Sequence, residues 1–330
     1  ALRKRVQNCH TRVVCSRPDA ISKTTGMRMK REVNQQTISV ITPFYRGNKY
    51  MHSLADILES NAERISAAIQ WLIVNDSPDC PVDMMNITRN AYPLLETEVI
   101  RLPENGGIHH ARIEGLKRAS GDFVLFIDQD DQISPDFLKI MSRLMTEDVD
   151  IAVCNAWLEQ QDGSMLPAFF RQADLDDVRN LEIYIRVRNP IRSPGQCLIR
   201  RSSIPEAWLL HPMKKNGSDD LLLWILMLCK KAVFAVTPDC LYTHKYTGSN
   251  LSESSAQIKT SSMEVVVVLQ STGALTSGQL KDLELSVEWA ALCSAGQKPL
   301  FSLKFARILF TRISCKFRHL VSPRINITSD

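Results

Sequence analysis

No stretch of this 330-residue sequence reaches the roughly 18 consecutive apolar residues that a membrane-crossing helix needs. The nine cysteines are scattered, with no C-x-x-C pair and no paired Cys/His spacing, which argues against a zinc site. An odd cysteine count, without the apolar core of a secretory leader, predicts reduced thiols and a cytosolic setting. Glycine is scarce where a phosphate loop would need it. TPFYRGNKY, after the first apolar segment, has one glycine, which speaks against a sugar-1-phosphate nucleotidyltransferase. The acidic segment DQDDQI places Ile133 where a calcium-binding EF-hand loop requires glycine. Internal repeats are also missing.

What is present is an ordinary water-soluble composition, 44% hydrophobic and 23% charged, on a chain long enough for one large or two modest domains. The net charge of +4 is unevenly spread. Residues 1–33 carry nine Lys/Arg against two acids and residues 301–330 carry six against one, leaving 25 basic and 33 acidic residues for 34–300. The body is therefore acidic, and no nucleic-acid partner is expected. Residues 1–33 show neither helical nor strand periodicity and are predicted to be a basic segment, disordered or foreign to the native protein.

From residue 37 the pattern turns regular. TISVITPFY predicts a buried strand ending at Pro43, KYMHSLADILESNAERI a helix, and WLIVNDSPDC a second strand entering a turn. VIRL at 99–102 predicts a third strand, NGGIHHARIEGLKRASG a glycine-led helix closed by Gly121, and FVLFID a fourth strand. Such alternation predicts an α/β fold with a parallel sheet between helices and a ligand site beyond the strands' carboxyl ends, where Pro43, Asp76 and Asp128 fall. Further on, a hairpin is expected around Asp162-Gly163, a strand in SPGQCLIRRSSI, and an apolar helix opened by Ser218, Asp219 and Asp220. Residues 254–300 are expected to be helical.

Three groups carry chemistry. Asp128-Gln129-Asp130 at a strand end could bridge a divalent cation to a pyrophosphate, because carboxylates alone repel it. A bare D-x-D is equally an acidic turn. Asp76 could accept from the N–H of a pyrimidine base, with Pro43 and Tyr45 as walls, or it could simply form a turn. Asp219 and Asp220 begin a helix whose dipole favours their ionised forms; either could act as a general base, or both as caps.

In order and at plausible spacing, ISVITPFY, VNDSPD, NGGIHHARIEG, DQDD and DDLLLW resemble the motifs of the family 2 glycosyltransferases, over about Thr37 to Ser252. The resemblance implies the inverting GT-A fold, a Rossmann-like, mostly parallel sheet flanked by helices, over residues 34–253, with a helical C-terminal extension over 254–330. It implies that Asp76 contacts the base, with Thr42, Pro43 and Tyr45 nearby. Arg112 would lie near the diphosphate or support the site, Asp128 would face the ribose, and Asp130 would ligate Mn²⁺ or Mg²⁺ with Asp131 behind it. Asp220 would be the catalytic base, Asp219 being the alternative, and His244, Lys245 and Tyr246 would close over the phosphates. The sequence departs from the family at Asn75 and Pro78, and in having Asp219 where glutamate is usual.

The expected reaction is transfer of a sugar, from a UDP-sugar first of all, to a saccharide or lipid-linked acceptor in cell-envelope polysaccharide synthesis. The expected place is the cytoplasm, at the inner face of the plasma membrane. A haloacid-dehalogenase-type phosphatase would use FIDQDD with Asp128 as nucleophile, but Gln132 stands at its Thr/Val position. A non-catalytic nucleotide-binding relative is the other rival. In the C-terminal segment, Phe301, Phe305, Ile308, Leu309, Ile313, Phe317 and Leu320 form one stripe among basic residues. That stripe would either touch a membrane surface, through 301–321, or pack on the catalytic domain.

Overall fold

A computed structural model describes residues 37–87, 92–245, 255–297, 299 and 302–327. The basic segment 1–33, Tyr246 and Phe301 lie outside them. The chain opens with β1 (Ile38–Phe44), all seven residues buried, α1 (Asn48–Ile65) and β2 (Ile69–Asn75). A short α2 (Met84–Ile87), β3 (Leu95–Arg101), α3 (Ile108–Arg118) and β4 (Phe123–Phe126) follow. β1 runs one residue past Pro43, because Pro43 and Phe44 still pair with Val74 and Asn75 of β2. β3 begins before the apolar VIRL, since LETEVIR lies beside β2 over its whole length. Its alternating Glu and Thr hide it from an apolar-run criterion.

After β4 come β5 (Gln132–Ile133), α4 (Phe137–Leu144), β6 (Ile151–Glu159) and β7 (Met165–Pro167), the last two forming the expected hairpin. Then α5 (Gln172–Asp177) and α6 (Leu181–Arg186) lead to β8 (Cys197–Arg200). α7 (Glu206–Leu210), α8 (Asp219–Cys229) and β9 (Phe234–His244) complete the α/β part. Three helices end the chain: α9 (Ser255–Thr272), α10 (Ser277–Ser294) and α11 (Ala306–Val321).

The sheet has the order β3-β2-β1-β4-β8-β6-β9-β5, with β7 paired to β6. β1 to β4 are parallel, as are β6 and β9; β8, β7 and β5 pair antiparallel. Alternation along β1 sends Ile38, Val40 and Phe44 to one face and Ile41 to the other. Met51, Leu54, Ala55 and Leu58 of α1 cover the first face together with α4. α3 and α8 cover the second, and Val265 and Leu269 of α9 and Leu283 of α10 join that same core. Gly115 lets α3 approach closely, for a Cβ there would stand 2.4 Å from Ile41 Cγ2.

α11 divides the stripe expected of it. Phe305 and Ile308 pack on Leu285 and Trp289 of α10, with Leu309 half-buried beside them, whereas Ile313, Phe317 and Leu320 are exposed. Among the described residues no helix is long and apolar enough to cross a membrane, and seven cysteines are free.

Candidate active site

The carboxyl ends of β1, β2 and β4 meet the start of α8, and Arg112 of α3 sits between them. The residue is 3% exposed. One terminal nitrogen donates to Asp219 Oδ2 and the other to Asp128 Oδ1, both at 2.7 Å. Burial opposes the charge, but the two carboxylates overcome it and hold Arg112 firmly protonated. Arg112 thus supports the site from within.

The same bridge separates the two aspartates of α8. Burial pushes Asp219 up, yet Arg112 and the polar groups around it outweigh that and leave Asp219 below the ordinary carboxylate range. Asp220 has no Lys or Arg paired to it among the described residues. Burial, reinforced by the charge of Asp219, pushes it up to about 7. Asn189 Nδ2 donates to Asp220 Oδ2 at 2.8 Å and fixes the carboxylate's orientation. One aspartate is locked as an anion and the other is poised to exchange a proton near neutrality. Ser218 is the helix N-cap by position only, its hydroxyl meeting that of Ser262 at 3.0 Å instead of an α8 amide.

α3 is tied down by the turn before it. Asp76 Oδ1 accepts from Gly106 N at 2.7 Å and Oδ2 from Gly107 N at 2.9 Å, and the residue is 5% exposed. Asp76, the residue expected to contact the base, here clamps the backbone of the NGG turn. Gly107 has φ +87°, and a Cβ on it would stand 2.7 Å from Asn216 Oδ1, the acceptor for Ile108 N. His109 Nδ1 accepts from Met213 N at 2.9 Å, stitching α3 to the loop ahead of α8. This is how Arg112 and Asp219 are brought together.

The departure at Asn75 has a physical reason. Its Oδ1 accepts from Ser77 N while its Nδ2 donates to Cys80 O at 3.0 Å, and a carboxylate could not make the second bond. Thr42 is fully buried and its hydroxyl accepts from the indole of Trp71 at 3.0 Å. Pro43 is likewise buried. Tyr45 is 51% exposed and remains available as a wall.

Asp130 is partly exposed; burial and then the charges of Asp131 and Asp128 push it up to about 6. The antiparallel pairing of β5 with β9 sets Asp131 against Tyr242, whose hydroxyl donates to its carboxylate. It also sets His244 Nδ1 3.4 Å from Asp131 Oδ1, and that hydrogen bond raises the imidazole's pKa. Lys245 Nζ lies 3.8 Å from Glu159. Gln129, the middle residue of D-x-D, bonds both the amide and the carbonyl of Tyr45. Sequence reasoning missed Gln129, Asn189, Asn216 and Tyr242 as site residues, since each acts through a contact no local pattern encodes.

A mixed sheet with a carboxylate cluster at its parallel ends and an acidic helix start beyond it defines the GT-A class of nucleotide-sugar enzymes. The profile of Glycosyl transferase family 2 matches residues 39–207, just over half of the sequence, and the chain belongs to that family. The phosphatase reading falls with it, and Asp128 is bonded to Arg112 besides. The glycosyltransferase EpsH of Bacillus subtilis (strain 168) is 27% identical over 184 residues, 54% of this chain and 51% of that protein. The poly(ribitol-phosphate) beta-N-acetylglucosaminyltransferase TarS of Staphylococcus aureus (strain Mu50 / ATCC 700699) is 33% identical over 111 residues, 33% of this chain and 19% of that protein. The chain spans about half the length, or less, of the first curated relatives it matches. Among solved structures, S. aureus TarS in complex with UDP-GlcNAc aligns with a TM-score of 0.56 at 19% identity, covering 86% of this chain and 81% of that one. A mannosyltransferase of Pyrobaculum calidifontis in complex with GDP-Man and Mn²⁺ aligns at 0.53 and 16% identity, covering 88% of each. At these identities the likeness establishes the fold.

Proposed function

We propose that this chain transfers a sugar, with inversion, from a UDP-sugar to a hydroxyl of a saccharide or lipid-linked acceptor during cell-envelope polysaccharide synthesis on the cytoplasmic side. The observation that carries the reading is the split between Asp219 and Asp220 around Arg112. In this reading Asp220 is the catalytic base. It takes the acceptor's hydroxyl proton as that oxygen bonds to the anomeric carbon and the bond to the diphosphate oxygen breaks. A single displacement turns an α-linked donor into a β-linked product. Asn189 holds one oxygen of Asp220 so that the other can face the acceptor.

Asp128 faces the ribose, Tyr45 walls the base, and His244 and Lys245 close over the diphosphate. Asp76 meets the base from the turn that it clamps, and Arg112 keeps the frame in register. A divalent cation, Mn²⁺ or Mg²⁺, fits this cluster. Asp128, Asp130 and Asp131 supply hard oxygens; burial and then the charges of its two neighbours raise Asp130, and a cation would relieve that repulsion. These carboxylates are not gathered into a closed cage, which suits an ion that completes its shell with phosphate oxygens and water. Asp130 would hold that ion, which when bound neutralises charge on the departing diphosphate. A solved neighbour binding UDP-GlcNAc and relatives named for cell-wall polymers support the donor and pathway class.

The test is incubation of α-linked UDP-sugars and Mn²⁺ with a panel of saccharide and lipid-linked acceptors, following UDP release and the anomeric configuration of the product by NMR. β-product formation that Asp220→Asn abolishes is expected. An α-product, or undiminished turnover by Asp220→Asn, would refute it.

A further inference from the structure

α11 has a second apolar face that no part of the described chain covers. Phe310 (73% exposed), Ile313 (56%), Phe317 (67%), Leu320 (72%) and Val321 (69%) all point outward. At 3.6 residues per turn their spacing confines them to one arc of about 100°. Lys316 borders that arc on one side and Arg307 on the other. Residues 302–327 contain Lys304, Arg307, Arg312, Lys316, Arg318 and Arg324 and no acidic residue. Lys316 and Arg324 are exposed and have no carboxylate partner among the described residues.

This helix is not loosely held. Arg318 and His319 both meet the buried carboxylate of Asp177, His319 Nε2 at 3.0 Å, and Arg188 binds the same carboxylate at 3.0 Å. Asp177, Cys315 and His319 have the composition of a metal site, but these two guanidiniums already neutralise the carboxylate. Beyond the helix, Ala173 N donates to Ser322 Oγ at 2.9 Å, and Ile325 N donates to Phe170 O at 3.1 Å. Near its start, Arg307 meets Asp282 at 3.0 Å. The outer face is therefore fixed outward. The clamp also reaches the active site, because Arg188 directly precedes Asn189, the partner of Asp220.

We propose that the outer face of α11 docks on an anionic lipid surface, with its five apolar side chains at the headgroup boundary and Lys316 and Arg324 against lipid phosphates. The clamp through Asp177 and Arg188 then holds Asp220 at a set position relative to that surface. This deepens the lipid-linked acceptor reading above and rests on it. The basic rim, with no carboxylate in 302–327, complements an anionic bilayer but would meet its own like charge across a two-fold contact between two copies of this face.

The experiment is flotation of the full chain with vesicles of phosphatidylcholine alone, or of phosphatidylcholine mixed with phosphatidylglycerol. The chain is expected to float with the mixed vesicles only. Phe310→Ser, Phe317→Ser and Leu320→Ser together should abolish this, and Lys316→Gln with Arg324→Gln should weaken binding about fivefold per charge. All five positions are exposed, and stabilisation by UDP with Mn²⁺ should persist in both variants. That separates failure of the surface from failure of the active-site reading. Flotation with neither vesicle, equal flotation with both, or undiminished flotation of the triple variant would overturn the proposal. A dimer that does not float and that the triple substitution dissolves would overturn it too, assigning the face to a second copy.

Discussion

Replacing Asp220 with asparagine should abolish transfer and make the protein more stable, and the gain should depend on pH in a defined direction. The carboxyl is raised from an ordinary 3.8 to about 7. A raised carboxyl binds its proton more tightly in the folded chain, so stability is lost as pH climbs from the unfolded value to the folded one. Three pH units at about 1.4 kcal/mol each set an upper bound near 4 kcal/mol. The side chain keeps some contact with water, and about half of that bound is a sound expectation. The replacement amide retains an oxygen for Asn189 Nδ2, so no buried partner is orphaned. Asp220→Asn should therefore gain about 2 kcal/mol at pH 8 and less than half as much at pH 5. Titrating groups that do not interact with Asp220 are common to both proteins and cancel in the comparison. At about 2 °C per kcal/mol, scanning fluorimetry should find a Tm advantage near 4 °C at pH 8, shrinking to 1–2 °C at pH 5. A loss of stability, or an advantage equal at both pH values, would refute the claim that burial and Asp219 strain this carboxylate.

Arg112→Met should cost about 3–5 kcal/mol in urea unfolding, because two buried carboxylates lose their shared cation. Gly115→Val should destabilise by at least 1–3 kcal/mol in the same assay, since even its Cβ collides with Ile41 in the α3–β1 contact. Asn189→Ala should move the acidic limb of the kcat–pH profile upward by about one unit, because the lost hydrogen bond favoured ionised Asp220. A change in kcat with an unmoved limb would show that Asn189 does not act through this base.

The sequence carried much of this, and the places where it failed share a cause. β1, β2 and β4 were legible because strands buried on both faces read as mostly apolar runs, broken only by Ser39 and Thr42 in β1 and by Gln70 and the terminal Asn75 in β2. β3 was legible only in its last residues, since Glu and Thr alternate through its first half. The D-x-D and the paired aspartates stood out by composition, but their division of labour did not. It depends on Arg112, which lies 107 positions from Asp219 in sequence. Asp76 and Thr42 show what a motif leaves unsaid. Each is correctly placed at a strand end, yet their side chains bind Gly106, Gly107 and Trp71. The α11 stripe was visible as a period of 3.6, but periodicity cannot tell which part of an apolar surface meets α10 and which meets solvent.

The central claim is a donor site for a nucleoside diphosphate at the Asp128–Asp131 cluster. Its most direct test is thermal stabilisation by UDP, GDP and dTDP, each with and without Mn²⁺, in the parent protein and in Asp130→Ala. At a hundredfold excess over Kd, UDP with Mn²⁺ should add about 2.7 kcal/mol of stability to the parent. The effect should vanish without the ion and in Asp130→Ala. No stabilisation by any of the three nucleotides, or stabilisation by UDP that Asp130→Ala leaves intact, would contradict the account.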